Sequence, residues 1–242
     1  MMLKTFVNEE EVFKVNEDFE IEVETIGTTP TGQDIKIVIV DNFYKYPEKV
    51  RDLALMIPPT TNKRVLSNLP SGEDSGRINA FYLQDQLGPV YDNIIKAVYP
   101  EIHFQFPEGH VENSFKQATF IVNVMTSENL PPRVPHIDFP DMRVLASLIF
   151  LNTPEECKGG TAFYSFGGEL VGRSEPTTID VEGKIKPDHF VVDDCGDFKL
   201  VKLVEMKWNR MIIYSQCLFH SAYIKPGMYT DGNYRLNQVF FI

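Results

Sequence analysis

The sequence predicts a mainly β domain, a double-stranded β-helix or jelly roll, with helices on its N-terminal flank. Three observations predict it. From Phe115 onward, seven short apolar runs are separated by Gly, Pro, Asn and Asp at even intervals. Helical spacing is confined to two stretches that end before Pro100. A histidine and a carboxylate two residues apart, His136 and Asp138, open the β region, and His220 stands near its end.

With 242 residues and 43% hydrophobic content the chain can bury a sizeable core. One domain is expected over 1–242, with a β and helical flank at 1–114 and a jelly-roll core at 115–242 carrying the site. A net charge of −11 argues against nucleic acid and anionic membranes as partners, since both bind basic surface. The N-terminus lacks the basic-then-apolar order of a signal peptide, and no stretch has the apolar length of a membrane span, so a cytoplasmic protein is expected. Cys157, Cys195 and Cys217 are odd in number and widely spaced, which suits reduced thiols.

Residues 1–40 read as β-rich. Glu20-Ile21-Glu22-Val23 alternates, and Ile35 to Val40 is a strand closed by Asp41-Asn42. The period then changes: Pro47 suits a first helical turn, and Val50, Leu53, Ala54 and Ile57 follow at helical spacing until Pro58-Pro59. Residues 60–78, rich in Gly, Ser and Asn, read as a loop. A second helix is expected over about Gln84 to Val98, with Leu87, Val90, Tyr91, Ile94 and Val98 on one stripe. The strands that follow are Lys116–Met125, Arg143–Leu151, Thr161–Phe166, Phe198–Met206, Arg210–Tyr214, Phe219–Ile224 and Tyr234–Ile242, with turns at Gly159-Gly160 and Trp208-Asn209-Arg210. Gly167 to Asp197 is a long stretch without periodicity, read as a lid or substrate-shaping loop with a plain surface insertion as the alternative.

In Val134-Pro135-His136-Ile137-Asp138-Phe139-Pro140, an extended backbone points the imidazole and the carboxylate to one face. With His220 they would form a two-histidine, one-carboxylate face that leaves roughly three octahedral positions open on Fe(II). A structural zinc site would instead be closed by four ligands. The plain alternative is a surface pair near a turn and a core histidine satisfied by its neighbours. His103, His110 and His189 read as surface residues, and Cys217 as a small buried hydrophobe.

His220 is preceded by Asn209-Arg210-Met211-Ile212-Ile213-Tyr214 and followed by Arg235-Leu236-Asn237-Gln238-Val239-Phe240-Phe241-Ile242. Over residues 115–242 this order resembles the Fe(II)/2-oxoglutarate-dependent dioxygenases, particularly the prolyl-4-hydroxylase-like group with its uncharacterised microbial and phage members. The resemblance implies a cupin-like jelly roll in which His136, Asp138 and His220 are the catalytic metal ligands. It also implies that Arg235 pairs with the distal carboxylate of 2-oxoglutarate, and Gly159-Gly160-Thr161 looks like the turn those enzymes place between ligand strands. Arg suits that role because its guanidinium fork pairs bidentately with a carboxylate and stays charged when buried. Asn237, on Arg235's face by alternation, and Asn123, if it lines the same barrel, are candidates for second contacts to the co-substrate, against the plainer reading of core polar satisfaction.

Two departures from the family pattern stand out. The spacing from His220 to Arg235 is longer than the family's, which leaves Lys225 as a competing cation. Phe150 occupies a position where related enzymes can present a tyrosine hydroxyl to the co-substrate, so another polar group must make that contact. The implied activity is O2-dependent hydroxylation of a protein side chain or a small metabolite, with Fe(II), 2-oxoglutarate and O2 required. Asp138 holds the carboxylate position, which disfavours halogenation. The alternative from another class is a non-catalytic jelly-roll protein that only holds a metal, sugar or peptide.

Overall fold

The computed structural model describes residues 8–56, 75–81, 87–100, 118–123, 135–172, 192–225, 227–229 and 233–241, with 75–81 and 118–123 as backbone. Two antiparallel sheets face one another. The larger contains β1 (Glu20–Thr28), β2 (Asp34–Asp41), β3 (Ser75–Phe81), β4 (Ala118–Asn123), β5 (Leu145–Phe150), β8 (Met211–Ser215) and β10 (Arg235–Phe241) in the order β1-β2-β8-β5-β10-β4-β3. The smaller contains β6 (Gly160–Phe166), β7 (Phe198–Glu205) and β9 (His220–Tyr223) in the order β7-β6-β9, and a single bridge from His136 to His220 adds one rung beyond β9. From β5 onward the chain passes back and forth between the sheets, with β5 in the large one, β6 and β7 in the small one, β8 in the large, β9 in the small and β10 in the large, which makes the core a jelly roll.

Each of the seven expected strands is present, and its bounds agree within two residues. Continuous apolar runs survive as strands because β5 and β8 are buried on both faces, so they show no polar alternation. One expectation is overturned: the region 60–78 contains the start of β3, which pairs antiparallel with β4. Ser, Gly, Arg and Asn gave that strand no apolar signature, and its order comes from backbone pairing with a neighbour far along the chain. The N-terminal flank also lengthens the large sheet at both ends, with β2 on β8 and β3 on β4.

The short helix α1 (Glu9–Val12), α2 (Pro47–Met56) and α3 (Leu87–Val98) complete the described elements. Val50, Leu53 and Ala54 of α2 and Leu87, Tyr91, Ile94, Ile95 and Val98 of α3 join one apolar core with Val38, Leu145, Ile149, Ile213, Leu236 and Phe240. The helices therefore cover the outer face of the large sheet. The opposite face meets the small sheet through Ile37, Ile39, Ala146, Leu148, Phe150, Ile212 and Tyr214 against Phe163 and Val204. A third cluster, with Tyr164, Phe198, Phe219 and Tyr223, lies on the outer face of the small sheet.

Turn chemistry fixes the frame where expected. Gly159 has φ +66°, and a Cβ there would meet the Tyr223 carbonyl oxygen at 2.0 Å, so only glycine fits. Asn209 turns with φ +60°, and its side chain accepts from Tyr44 N and donates to Tyr44 O, both at 2.8 Å. Within the 167–197 stretch, Val171 bridges to Leu218 and Cys195 to Phe198, whereas 173–191 lie outside the described residues. His103, His110 and His189 lie outside them as well.

Candidate metal centre

His136 and Asp138 reach one point because the backbone between them is extended and Ile137 is turned the other way, into the core behind the small sheet. His136 and His220 exchange backbone hydrogen bonds, N to O, at 3.0 and 2.9 Å. Asp138 N donates to Gln216 O at 2.8 Å, which ties the carboxylate's backbone to the end of β8.

One potential ligand atom from each of His136, Asp138 and His220 lies within 4.8 Å of the others. His220 Nε2 is 3.4 Å from one Asp138 oxygen, and His136 Nε2 is 3.7 Å from the other. Metal–ligand bonds of about 2.1 Å put neighbouring donors about 3 Å apart, so these groups need only small movements to share an ion. His220 Nδ1 lies 2.8 Å from Leu218 O. A carbonyl can only accept, so Nδ1 carries the proton and Nε2 presents its lone pair toward Asp138 and His136. That is the orientation and tautomer a metal-binding imidazole requires. Side-chain exposure rises from 8% at His220 through 23% at Asp138 to 38% at His136, so the cluster opens toward solvent on the His136 side.

Arg235 begins β10 and is buried. It lies on the inward face, where Asn237 and Val239 follow it, whereas Leu236 and Phe240 point to the helices. Its guanidinium stands 5.5 Å over the Phe150 ring, and Nη2 donates to Gly160 O at 3.3 Å and Thr161 Oγ1 at 3.4 Å. Thr161 is two residues along β6 from Phe163, the register partner of His220. The guanidinium and the histidine cluster are thus separated by about 7 Å of strand. A five-carbon dicarboxylate spans such a gap. Lys225, the competing cation, is exposed, and its Nζ lies 5.4 Å over the Tyr223 ring, which belongs to the outer cluster.

Asn237 is buried on Arg235's face, and among the described residues its Oδ1 has no hydrogen-bond partner. Asn123 pairs in register with Arg235. Cys217 is buried, and burial pushes its thiol up, which suits an inert hydrophobe.

The family described as "Family of unknown function (DUF6445)" matches residues 83–235. The chain belongs to this family. No curated protein matches the DUF6445 chain in sequence. Solved structures similar to it include the non-heme α-ketoglutarate-dependent epimerase SnoN from nogalamycin biosynthesis, at TM-score 0.41 and 17% identity over 85% of this chain and 77% of that one. HygX from Streptomyces hygroscopicus, with nickel and 2-oxoglutarate bound, gives 0.40 and 12% over 85% and 81%. A prolyl hydroxylase from Trichoplax adhaerens, in complex with a hypoxia inducible factor peptide fragment, gives 0.42 and 14% over 85% and 83%.

Two residues on the chamber face have no side-chain part in the sequence reading, which took Thr161 only as a turn and strand residue and Tyr214 only as a strand residue. Thr161 accepts from Arg235. Tyr214 sets its ring 4.9 Å from the His220 ring and 5.0 Å from Phe163. Burial holds its phenol well above the usual range, the Asp138 charge adds to the rise, and Arg235 opposes it. The only hint in the sequence was a polar-tipped aromatic closing an apolar run, in phase with Ile212.

Proposed function

We propose that this protein is an Fe(II)- and 2-oxoglutarate-dependent dioxygenase that hydroxylates a protein side chain or a small metabolite. One observation carries the reading: an open His136–Asp138–His220 cluster and a buried Arg235 face one chamber about 7 Å of strand apart. In this assignment His136, Asp138 and His220 hold the ion on three sides and leave the rest of its coordination to substrates. The bound iron would supply oxygen activation coupled to decarboxylation of the co-substrate. Arg235 fixes the distal carboxylate of 2-oxoglutarate, with Asn237 on the same face and Asn123 opposite Arg235 in register on β4. The Leu218 carbonyl holds the His220 tautomer, and Phe150, Leu148 and Ile212 line the chamber and limit water.

We take 1–242 as one domain, on the support that flanking and core strands share a sheet. Three cysteines free of disulfides support a reducing, cytoplasmic setting. The acidic balance supports a peptide or small-molecule substrate over nucleic acid or an anionic membrane. The deciding experiment is anaerobic loading with Fe(II) followed by O2 and 2-oxoglutarate, with succinate measured. Wild type should form succinate only with iron and O2 present, and Asp138→Asn should form none. Tight metal binding with no succinate under any substrate screen would instead favour the non-catalytic binding protein.

A further inference from the structure

We infer that Asn152 is a positioning residue for the co-substrate anchor: its side-chain amide grips the backbone on both sides of Arg235 and fixes where that guanidinium stands. The inference rests on the oxygenase reading above. The β5–β10 ladder runs in register from Phe241 opposite Ala146 to Asn237 opposite Phe150, and Leu151 N donates once more to Leu236 O at 3.0 Å. The chain then leaves the sheet in a turn, where Glu156 N and Cys157 N both donate to Thr153 O at 3.0 Å. On the β5 side, Arg235 thus lies beyond the last backbone rung, and the Asn152 side chain supplies the next one. Its Nδ2 donates to Tyr234 O and its Oδ1 accepts from Leu236 N, each at 2.7 Å. A carbonyl only accepts and an amide N–H only donates, so the two backbone groups fix which end of the Asn152 amide is which.

Three observations turn this clamp toward Arg235. Asn152 is fully buried, so water does not compete for its amide. Arg51 of α2 backs the clamp from outside: its Nη1 donates to Leu151 O at 2.8 Å and its Nη2 to the Tyr234 hydroxyl at 2.9 Å, which ties the residues on either side of the amide to one guanidinium. The bonds that Arg235 Nη2 makes to Gly160 O and Thr161 Oγ1 are long, at 3.3 and 3.4 Å, and such bonds aim a side chain weakly. Backbone placement therefore carries much of the aim. A guanidinium fork pairs with both oxygens of a carboxylate only in one orientation, and binding groups need placing within about 0.5 Å. Without the amide, Tyr234 O and Leu236 N lose their partner on the β5 side, and the start of β10 is free to shift with Arg235 on it.

The test is Asn152→Ala. Protein loaded with Mn(II) in place of iron is titrated calorimetrically with 2-oxoglutarate and, separately, with oxalate, which chelates the metal but has no distal carboxylate to reach Arg235. The variant should bind 2-oxoglutarate about tenfold more weakly and keep its Mn(II) and oxalate affinities. Unchanged 2-oxoglutarate affinity overturns the assignment. A loss matched by oxalate or by Mn(II) overturns it too, because a residue that only holds the fold weakens every ligand alike; both results leave the oxygenase reading intact. Wild type that binds Mn(II) and oxalate but no 2-oxoglutarate overturns both. If Asn152→Ala does not fold, Asn152→Ser gives the readout, since it leaves a hydroxyl and room for water yet cannot bridge Tyr234 O and Leu236 N. The same selective loss is expected there, and wild-type affinity for 2-oxoglutarate rejects the clamp.

Discussion

The two faces of the large sheet are built from the same strands and serve opposite ends. On β10, Leu236 and Phe240 point under α2 and α3, and Arg235 and Asn237 point into the chamber. On β8, Met211 and Ile213 face the helices while Ile212 and Tyr214 face the small sheet. The helix side is filled mainly by aliphatic and aromatic side chains. The chamber side mixes those with the Arg235 guanidinium, the Asn237 amide and the Tyr214 phenol, and the helix side holds buried polar groups of its own at Ser147 and Gln238. One face packs the helices onto the sheet, and the other carries the residues proposed to hold metal and co-substrate.

The sharpest way to test that division is to remove a proposed ligand. His220→Ala should abolish stoichiometric Fe(II) binding, with affinity down by more than about 100-fold, while the thermal melt of the metal-free protein changes little. Anaerobic Fe(II) titration decides it, and full binding in the variant would break the assignment. Arg235→Ala should leave metal binding intact and cost about 2–5 kcal/mol in 2-oxoglutarate affinity, because a buried charge partner is lost. Lys225→Ala serves as its control and should change nothing; the reverse pattern would move the anchor to Lys225.

The helix face should respond in the opposite sense. Leu236→Ala, one residue from Arg235, should lower unfolding free energy by about 2–5 kcal/mol in urea and leave metal stoichiometry of the folded protein at its original value. A loss of metal binding there would show that the faces are not separable. The smallest effect belongs to a pair serving neither face. Arg210 donates to both Asp41 oxygens, at 2.6 and 2.9 Å, and this holds the Asp41 carboxyl below its ordinary range. A depressed carboxylate pKa stabilises the fold above about pH 4 and loses that contribution as pH falls through the lowered value. Asp41→Asn should therefore cost about 1 kcal/mol at pH 7, since the pair is only part-buried and solvent screens some of its attraction. The difference from wild type should vanish near pH 2, as followed by urea midpoints.

Much of this division could be read from the chain alone. The strands from β4 to β10 were legible because each is a short apolar run closed by turn residues, and His136 and Asp138 shared a face because residue 137 was apolar. Arg235 was legible as a cation in phase with Asn237. β3 was not, since its pairing with β4 involves no apolar pattern of its own. Tyr214 was equally hidden: its place beside His220 depends on the register of β8 against β5 and on the depth of the sandwich, both long-range outcomes. The joining of β2 to β8 escaped notice for the same reason.

The rung that carries His136 consists of one bridge, held to β9 by its two backbone hydrogen bonds. A single rung at a sheet margin frays easily, yet two of the three proposed ligands lie on this segment and the third sits on the strand it borders. An ion shared between them would act as a rivet through the margin of the sheet. Amide hydrogens of His136 and Asp138 should then exchange with deuterium quickly in chelated protein and slowly once metal is restored, with little change on β5 or β8.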